Sequence, residues 1–89
     1  MLRITTVYQD ASATTLKLEG KVHAEWVAVL EEECLRQMHL RRRVLLDFSE
    51  VSYIDPQGIE MVRNIPNGHI RIINCPAFIA ELLDRGGQP

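Results

Sequence analysis

At Gly20 the spacing of apolar residues changes, and that change decides which folds stay open to the chain. Before it, Leu2 to Tyr8 is rich in β-branched residues and Gln9 to Ala13 is polar and small. Thr14 to Glu19 then alternates, with Leu16 and Leu18 on one side and Lys17 and Glu19 on the other. A period of two marks half-buried strands, and the polar break between them predicts a hairpin. Beyond Gly20, Trp26, Leu30, Cys34 and Met38 recur four apart, Val27 and Leu35 widen the stripe, and Glu25, Glu32, Glu33 and Arg36 lie away from it. That spacing predicts an amphipathic helix of about four turns.

The run Val44-Leu45-Leu46-Asp47-Phe48 is nearly continuous in apolar residues and reads as a central strand covered by helices on both faces. Two helices then open on a polar residue and a proline: Asp55-Pro56 before Gln57 to Ile65, and Cys75-Pro76 before Ala77 to Arg85. Proline suits a first helical position, where no partner exists for its missing N–H. Asp55 is a strong N-cap, and the residue before proline is already biased to the extended conformation a cap needs. Ile59, Val62 and Ile65 are expected inward, Glu60, Arg63 and Asn64 outward, with Pro66-Asn67-Gly68 ending the helix. Ile70 to Asn74 reads as a short strand, and Phe78, Ile79, Leu82 and Leu83 as the inner face of a last helix ended by Gly86-Gly87. The order β-β-α-β-α-β-α gives an α/β fold with a small mixed sheet of about four strands and three helices. With 89 residues there is room for one domain, spanning 1–89.

Ten Lys and Arg against twelve Asp and Glu leave a net charge of -2, which lacks the field that draws a chain to nucleic acid. The longest apolar run is the five residues Trp26 to Leu30, so neither a signal peptide nor a membrane span is expected. Cys34 and Cys75 have no CxxC spacing and read as reduced core residues of a cytoplasmic protein. Arg41, Arg42 and Arg43 read as a solvated cap on the first helix, although such a run also suits phosphate or lipid. No nucleophile–base pair, phosphate loop or His/Cys ligand set appears, and His39 and His69 lack ligand spacing. The expectation is no enzyme, no cofactor and no metal. Asp47 and Asp55 then serve as a strand-end residue and an N-cap rather than as an acid–base pair.

In sheets of this kind functional groups collect at the carboxyl ends of strands, here the loops Gly20 to Ala24, Ser49 to Pro56 and Asn74 to Pro76. His23, Asp47 and Ser49 are the candidates for a ligand edge. His23 also reads as a solvated cap of the first helix, Ser49 and Ser52 as turn residues or substitute phosphosites, and Trp26 as core.

Three blocks carry a resemblance: Leu16 to Val22, Val44 to Gly58 and Ile70 to Pro76. The middle one is the most specific, a strand ending in an acidic residue, a short loop, then Asp55-Pro56-Gln57-Gly58 as Asp-x-x-Gly at a helix start. Together they resemble a STAS domain, the fold of bacterial anti-sigma factor antagonists and of the tails of sulfate transporters. The resemblance implies a regulatory protein-interaction module in signalling. In antagonists of this family the residue after that Asp is a serine phosphorylated by the partner kinase; here it is Pro56, which has no hydroxyl. Gln57 cannot accept phosphate either, and His23 stands where the family commonly has an acidic residue. The implied partner surface comprises Asp55, Pro56, Gln57 and Gly58 with the outward Glu60, Arg63 and Asn64, working without the usual phosphoswitch. The implied partner is an anti-sigma-factor kinase, a sensory complex or the ATPase of a transport complex. Two other readings stay open: a sensor of a nucleotide or lipid-like anion, and a homodimer paired through the hairpin edge.

Overall fold

The computed structural model describes residues 1–65 and 69–85. The elements are β1 (Leu2–Gln9), β2 (Ala13–Val22), α1 (Glu25–His39), β3 (Arg43–Ile54), α2 (Pro56–Asn64), β4 (Ile70–Ile73) and α3 (Ala77–Arg85). The sheet runs in the order β1-β2-β3-β4; β1 and β2 are antiparallel, while β3 lies parallel to both neighbours. This is the α/β order expected from the spacing of apolar residues. The segments Pro66-Asn67-Gly68 and Gly86-Gly87, expected to end α2 and α3, lie outside the described residues.

Asp10 makes the hairpin turn. Its Oδ1 accepts from the Ser12 and Ala13 N–H groups, both at 2.8 Å, and from the Ser12 hydroxyl at 3.0 Å, while Oδ2 accepts from the Tyr8 hydroxyl at 2.6 Å. A carboxylate can satisfy that many donors only while ionised, so its pKa falls from 3.8 to about 2, chiefly through the Tyr8 hydroxyl. At the far end of α1, Arg41 N–H bonds to Met38 O and Arg42 N–H to Gln37 O. Those two bonds form a Schellman stop, with Arg41 at φ 63° in the left-handed position usually given to glycine. Gln37 is buried, donating to Glu33 at 2.8 Å and accepting from the Arg42 guanidinium at 3.1 Å. Arg42 also donates to Asp10 O at 3.0 Å, so one chain of bonds ties the end of α1 to the hairpin turn.

The sheet has one covered face. Neighbouring rows Thr14, Val44, Ile70 and Leu16, Leu46, Ile72 point the same way and join one core with Leu30 and Cys34 of α1, Met61 of α2 and Ile79 of α3. The opposite rows, Thr5, Lys17, Asp47, Ile73 and Thr15, Leu45, Arg71, contain no fully buried residue. The expectation that β3 is covered on both faces therefore fails: on the second face Leu45 and Asp47 are only half-buried, while Val44, Leu46 and Phe48 on the first are fully buried. Two side chains expected inside lie outside, Leu35 at 49% and Phe78 at 54% exposure. Each sits about 100° around its helix from a fully buried residue, Cys34 or Ile79, and so falls off the packed stripe. Trp26 is half-buried against the core, as expected. Cys34 is wholly buried, and burial pushes its thiol up to about 12, which leaves it inert as a nucleophile.

The hairpin turn predicts a pH dependence. A carboxylate whose folded pKa is depressed stabilises the fold above its unfolded pKa and loses that contribution as pH falls through the folded value. Stability measured by urea titration should drop between pH 3.8 and about 2 in the wild type, and Asp10→Ala should flatten that drop while lowering stability at neutral pH. An equal slope in both proteins would mean that the turn does not depend on this carboxylate.

Candidate functional site

Strand β3 is longer than its apolar run suggests, and its length decides what lies at the carboxyl edge. Ser49 to Ile54, expected as loop, continue as strand and pair with Glu19 to Val22 of β2. The register shifts twice, between Lys17 and Glu19 and between Gly20 and Lys21, and at each shift β3 takes one extra residue. Local hydrogen bonds hold both irregularities. Asp47 Oδ1 accepts from Ser49 N–H at 2.9 Å, and that bond is the main reason its pKa lies below the ordinary carboxylate value. The Ser52 hydroxyl donates to Gly20 O at 3.3 Å. Asp47 and Ser49 are thus strand residues, at most about 20 to 26 Å along β3 from Asp55 at ~3.3 Å per residue. They do not share a site with Asp55 or His23.

At the true end of β3, Asp55 joins three elements. Its N–H donates to Val22 O at 3.0 Å, continuing the pairing with β2. Its Oδ1 caps α2 by accepting from Gly58 N–H at 2.7 Å, and its Oδ2 accepts from Ala24 N–H at 2.9 Å, just before α1. Pro56 stands at the first turn of α2, where its missing N–H costs nothing. Gly58 is buried, and a Cβ there would come within 2.8 Å of Ile54 Cγ1 and 3.0 Å of Val22 O. The Asp-x-x-Gly spacing therefore has a physical cause: the carboxylate caps the helix, and the missing side chain lets that helix sit on the ends of β2 and β3.

The second bond of Asp55 has no counterpart in the sequence. Ala24 adopts φ 51° and ψ -131°, a conformation that glycine favours, and no side chain caps α1. His23 thus does not cap α1 as one reading had it. It is half-buried, and its Nδ1 is buried with no hydrogen-bond partner among the described residues.

Beyond the clamp, α2 presents Pro56, Gln57, Glu60, Arg63 and Asn64 to solvent and buries Gly58 and Met61. Of the residues expected to form a partner surface, Pro56, Gln57, Glu60, Arg63 and Asn64 are therefore contiguous on one exposed helix face and Asp55 is half-buried at its root, whereas Gly58 is buried against Ile54 and Val22 and belongs to the seat of the helix, not to its outer surface. Met61, the most buried side chain of α2, does not stand out in the sequence because Ile59, Val62 and Ile65 already fit an inward stripe. Tyr53, two residues before Asp55, is 42% exposed, and its place in a segment of loop-like composition hides it in the sequence.

No protein-family model matches the chain, and no curated protein matches it either. Among solved structures, the anti-sigma factor antagonist SpoIIAA in its unphosphorylated form superposes with a TM-score of 0.71 over 92% of this chain and 82% of that one, at 11% identity. The fold is STAS-like. A STAS-like frame with four strands and three helices accounts for the element order, and at that identity the likeness concerns the fold alone. No helix among the described residues is long and apolar enough to cross a membrane.

Two substitutions test the clamp. Asp55→Asn turns an acceptor into an NH2 group facing either Ala24 N–H or Gly58 N–H, and should lower unfolding stability by about 1 to 2 kcal/mol. Gly58→Ala should cost about 1 to 3 kcal/mol through overpacking against Ile54 and Val22. Urea denaturation at neutral pH measures both, and wild-type stability in either variant would contradict the clamp.

Proposed function

We propose that this chain is a non-catalytic regulatory module that docks a protein partner through the exposed face of α2, with Pro56 in place of a phosphorylatable residue. The observation that carries this reading is the construction of that face. Asp55 ties α2 to β2 and to the start of α1, Gly58 seats it tightly, and the side chains of the outward Gln57, Glu60, Arg63 and Asn64 make no hydrogen bond or ion pair among the described residues. A surface fixed at its root and chemically free at its tip suits recognition, because little order is lost on docking. The STAS-like fold supports the same reading, since SpoIIAA is an anti-sigma factor antagonist. Pro56 removes the hydroxyl, so docking here is constitutive rather than switched at this position. The partner class is an anti-sigma-factor-like kinase, a sensory protein or a transporter ATPase.

A nucleotide or other anion at this edge is disfavoured. Pro56 has no N–H, Gly58 N–H goes to Asp55 Oδ1 and Ile59 N–H to Asp55 O, so most of the α2 donors that would hold phosphate are already engaged by a residue of like charge.

Affinity capture from host lysate tests the proposal. The wild type should retain a kinase or ATPase partner, and Gln57→Arg with Arg63→Glu should lose it at unchanged thermal stability. Lys17→Glu, on the uncovered sheet face, should retain it. Capture of the same protein by wild type and double variant would overturn the α2 assignment.

A further inference from the structure

The opposite edge of the molecule carries a second feature that docking through α2 leaves unused. Between the hairpin turn, the end of α1 and the start of β3 lies a cleft of about 650 Å³, bordered by Ser12, Ala13, Arg41, Arg42, Arg43 and His69. A neighbouring pocket that shares Ala13, Arg43 and His69 with it reaches Arg71 on β4. Four of the ten Lys and Arg residues of a net-negative chain thus gather at one edge.

Their state of pairing is more telling than their number. The ion pair among the described residues is Arg36–Glu33, outside this cleft. Arg41, Arg43 and Arg71 are exposed and make no side-chain hydrogen bond or ion pair among the described residues. Arg42 is anchored by Asp10 O and the Gln37 side chain. Asp10, the carboxylate nearest in sequence to the cleft wall, is folded into its own turn by bonds from Tyr8, Ser12 and Ala13. The end of α1 contributes roughly half a negative charge, which one guanidinium more than offsets. Arg41 is moreover held at φ 63°, a backbone state that fixes where its side chain leaves the chain.

We propose that this cleft binds a phosphate group, with Arg41 and Arg43 as its principal ligands and Arg42 as the anchored wall. Guanidinium forks match phosphate oxygens in geometry and charge. The phosphate belongs either to a small soluble ester or to a lipid headgroup, since both present the same oxygens. This site is independent of the α2 docking face.

The probes are inorganic pyrophosphate and vesicles of phosphatidylglycerol in phosphatidylcholine. In a pyrophosphate titration followed by amide NMR, Ser12, Ala13, Arg41, Arg43 and His69 should shift together with a millimolar or tighter Kd. Arg41→Gln with Arg43→Gln should weaken that binding about tenfold or more, whereas Arg36→Gln, a control at the salt-bridged face of α1, should leave it unchanged. Co-sedimentation with the anionic vesicles that exceeds binding to phosphatidylcholine alone, and is lost in the double variant, would assign the phosphate to a lipid headgroup. Saturation by pyrophosphate without vesicle binding would assign it to a soluble ester. Failure of both probes, or equal binding by the folded double variant, would overturn the site.

Discussion

The carboxylate of Asp55 holds together the edge on which the proposed function rests. One residue continues the β2–β3 pairing through its N–H, caps α2 with one oxygen and holds the approach to α1 with the other. The last of these bonds spans 31 residues of sequence, between Ala24 and Asp55. Without them Ala24 would have no reason to keep a positive φ, and α2 would be held only by the apolar contacts of Ile59, Met61, Val62 and the following Ile65. Burial supplies most of the cohesion of such a small core, at ~1.5 to 3 kcal/mol for each large apolar side chain. It does not set the angle at which a nine-residue helix leaves a strand. Directional hydrogen bonds and the close contact at Gly58 do.

The two edges of the sheet follow opposite electrostatic plans. At the carboxyl edge both oxygens of Asp55 are taken up by backbone N–H groups, which leaves a polar helix face for contact. At the amino edge Asp10 is absorbed into the hairpin turn, Gln37 and Arg42 bridge to it, and three arginines are left without acidic partners among the described residues. A module built this way has room for two separate contacts, one to protein through α2 and one to phosphate, without either disturbing the core between them.

Much of the fold is legible in the residues. The change of period at Gly20, the alternation of Thr14 to Glu19 and the Asp55-Pro56 opening each correspond to an observed element, because each reflects a local preference that packing does not override. Two features are hidden. Ser49, Glu50 and Ser52 look like loop but form strand, since pairing with β2 and the bonds of Asp47 and Ser52 outweigh weak intrinsic preference. Gln37 looks like surface but is buried, because Glu33 and Arg42 satisfy its amide. At the site, the outward face of α2 could be read directly, and the cap by Asp55 with it. The bond to Ala24 could not, because nothing about an alanine announces a positive φ, and the separation of Asp47 from Asp55 depends on the true length of β3.

Amide hydrogen exchange at Ala24 and Gly58 tests the clamp most directly. Ala24 is exposed, so its N–H should exchange quickly unless Asp55 holds it. The account predicts that both amides are protected, and that in Asp55→Ala both lose protection while the amides of β2 and β3 near Leu16 and Leu46 keep theirs. Rapid exchange of Ala24 in the wild-type protein, with Gly58 protected alone, would reduce Asp55 to an ordinary helix cap and contradict the claim that one carboxylate fixes this edge.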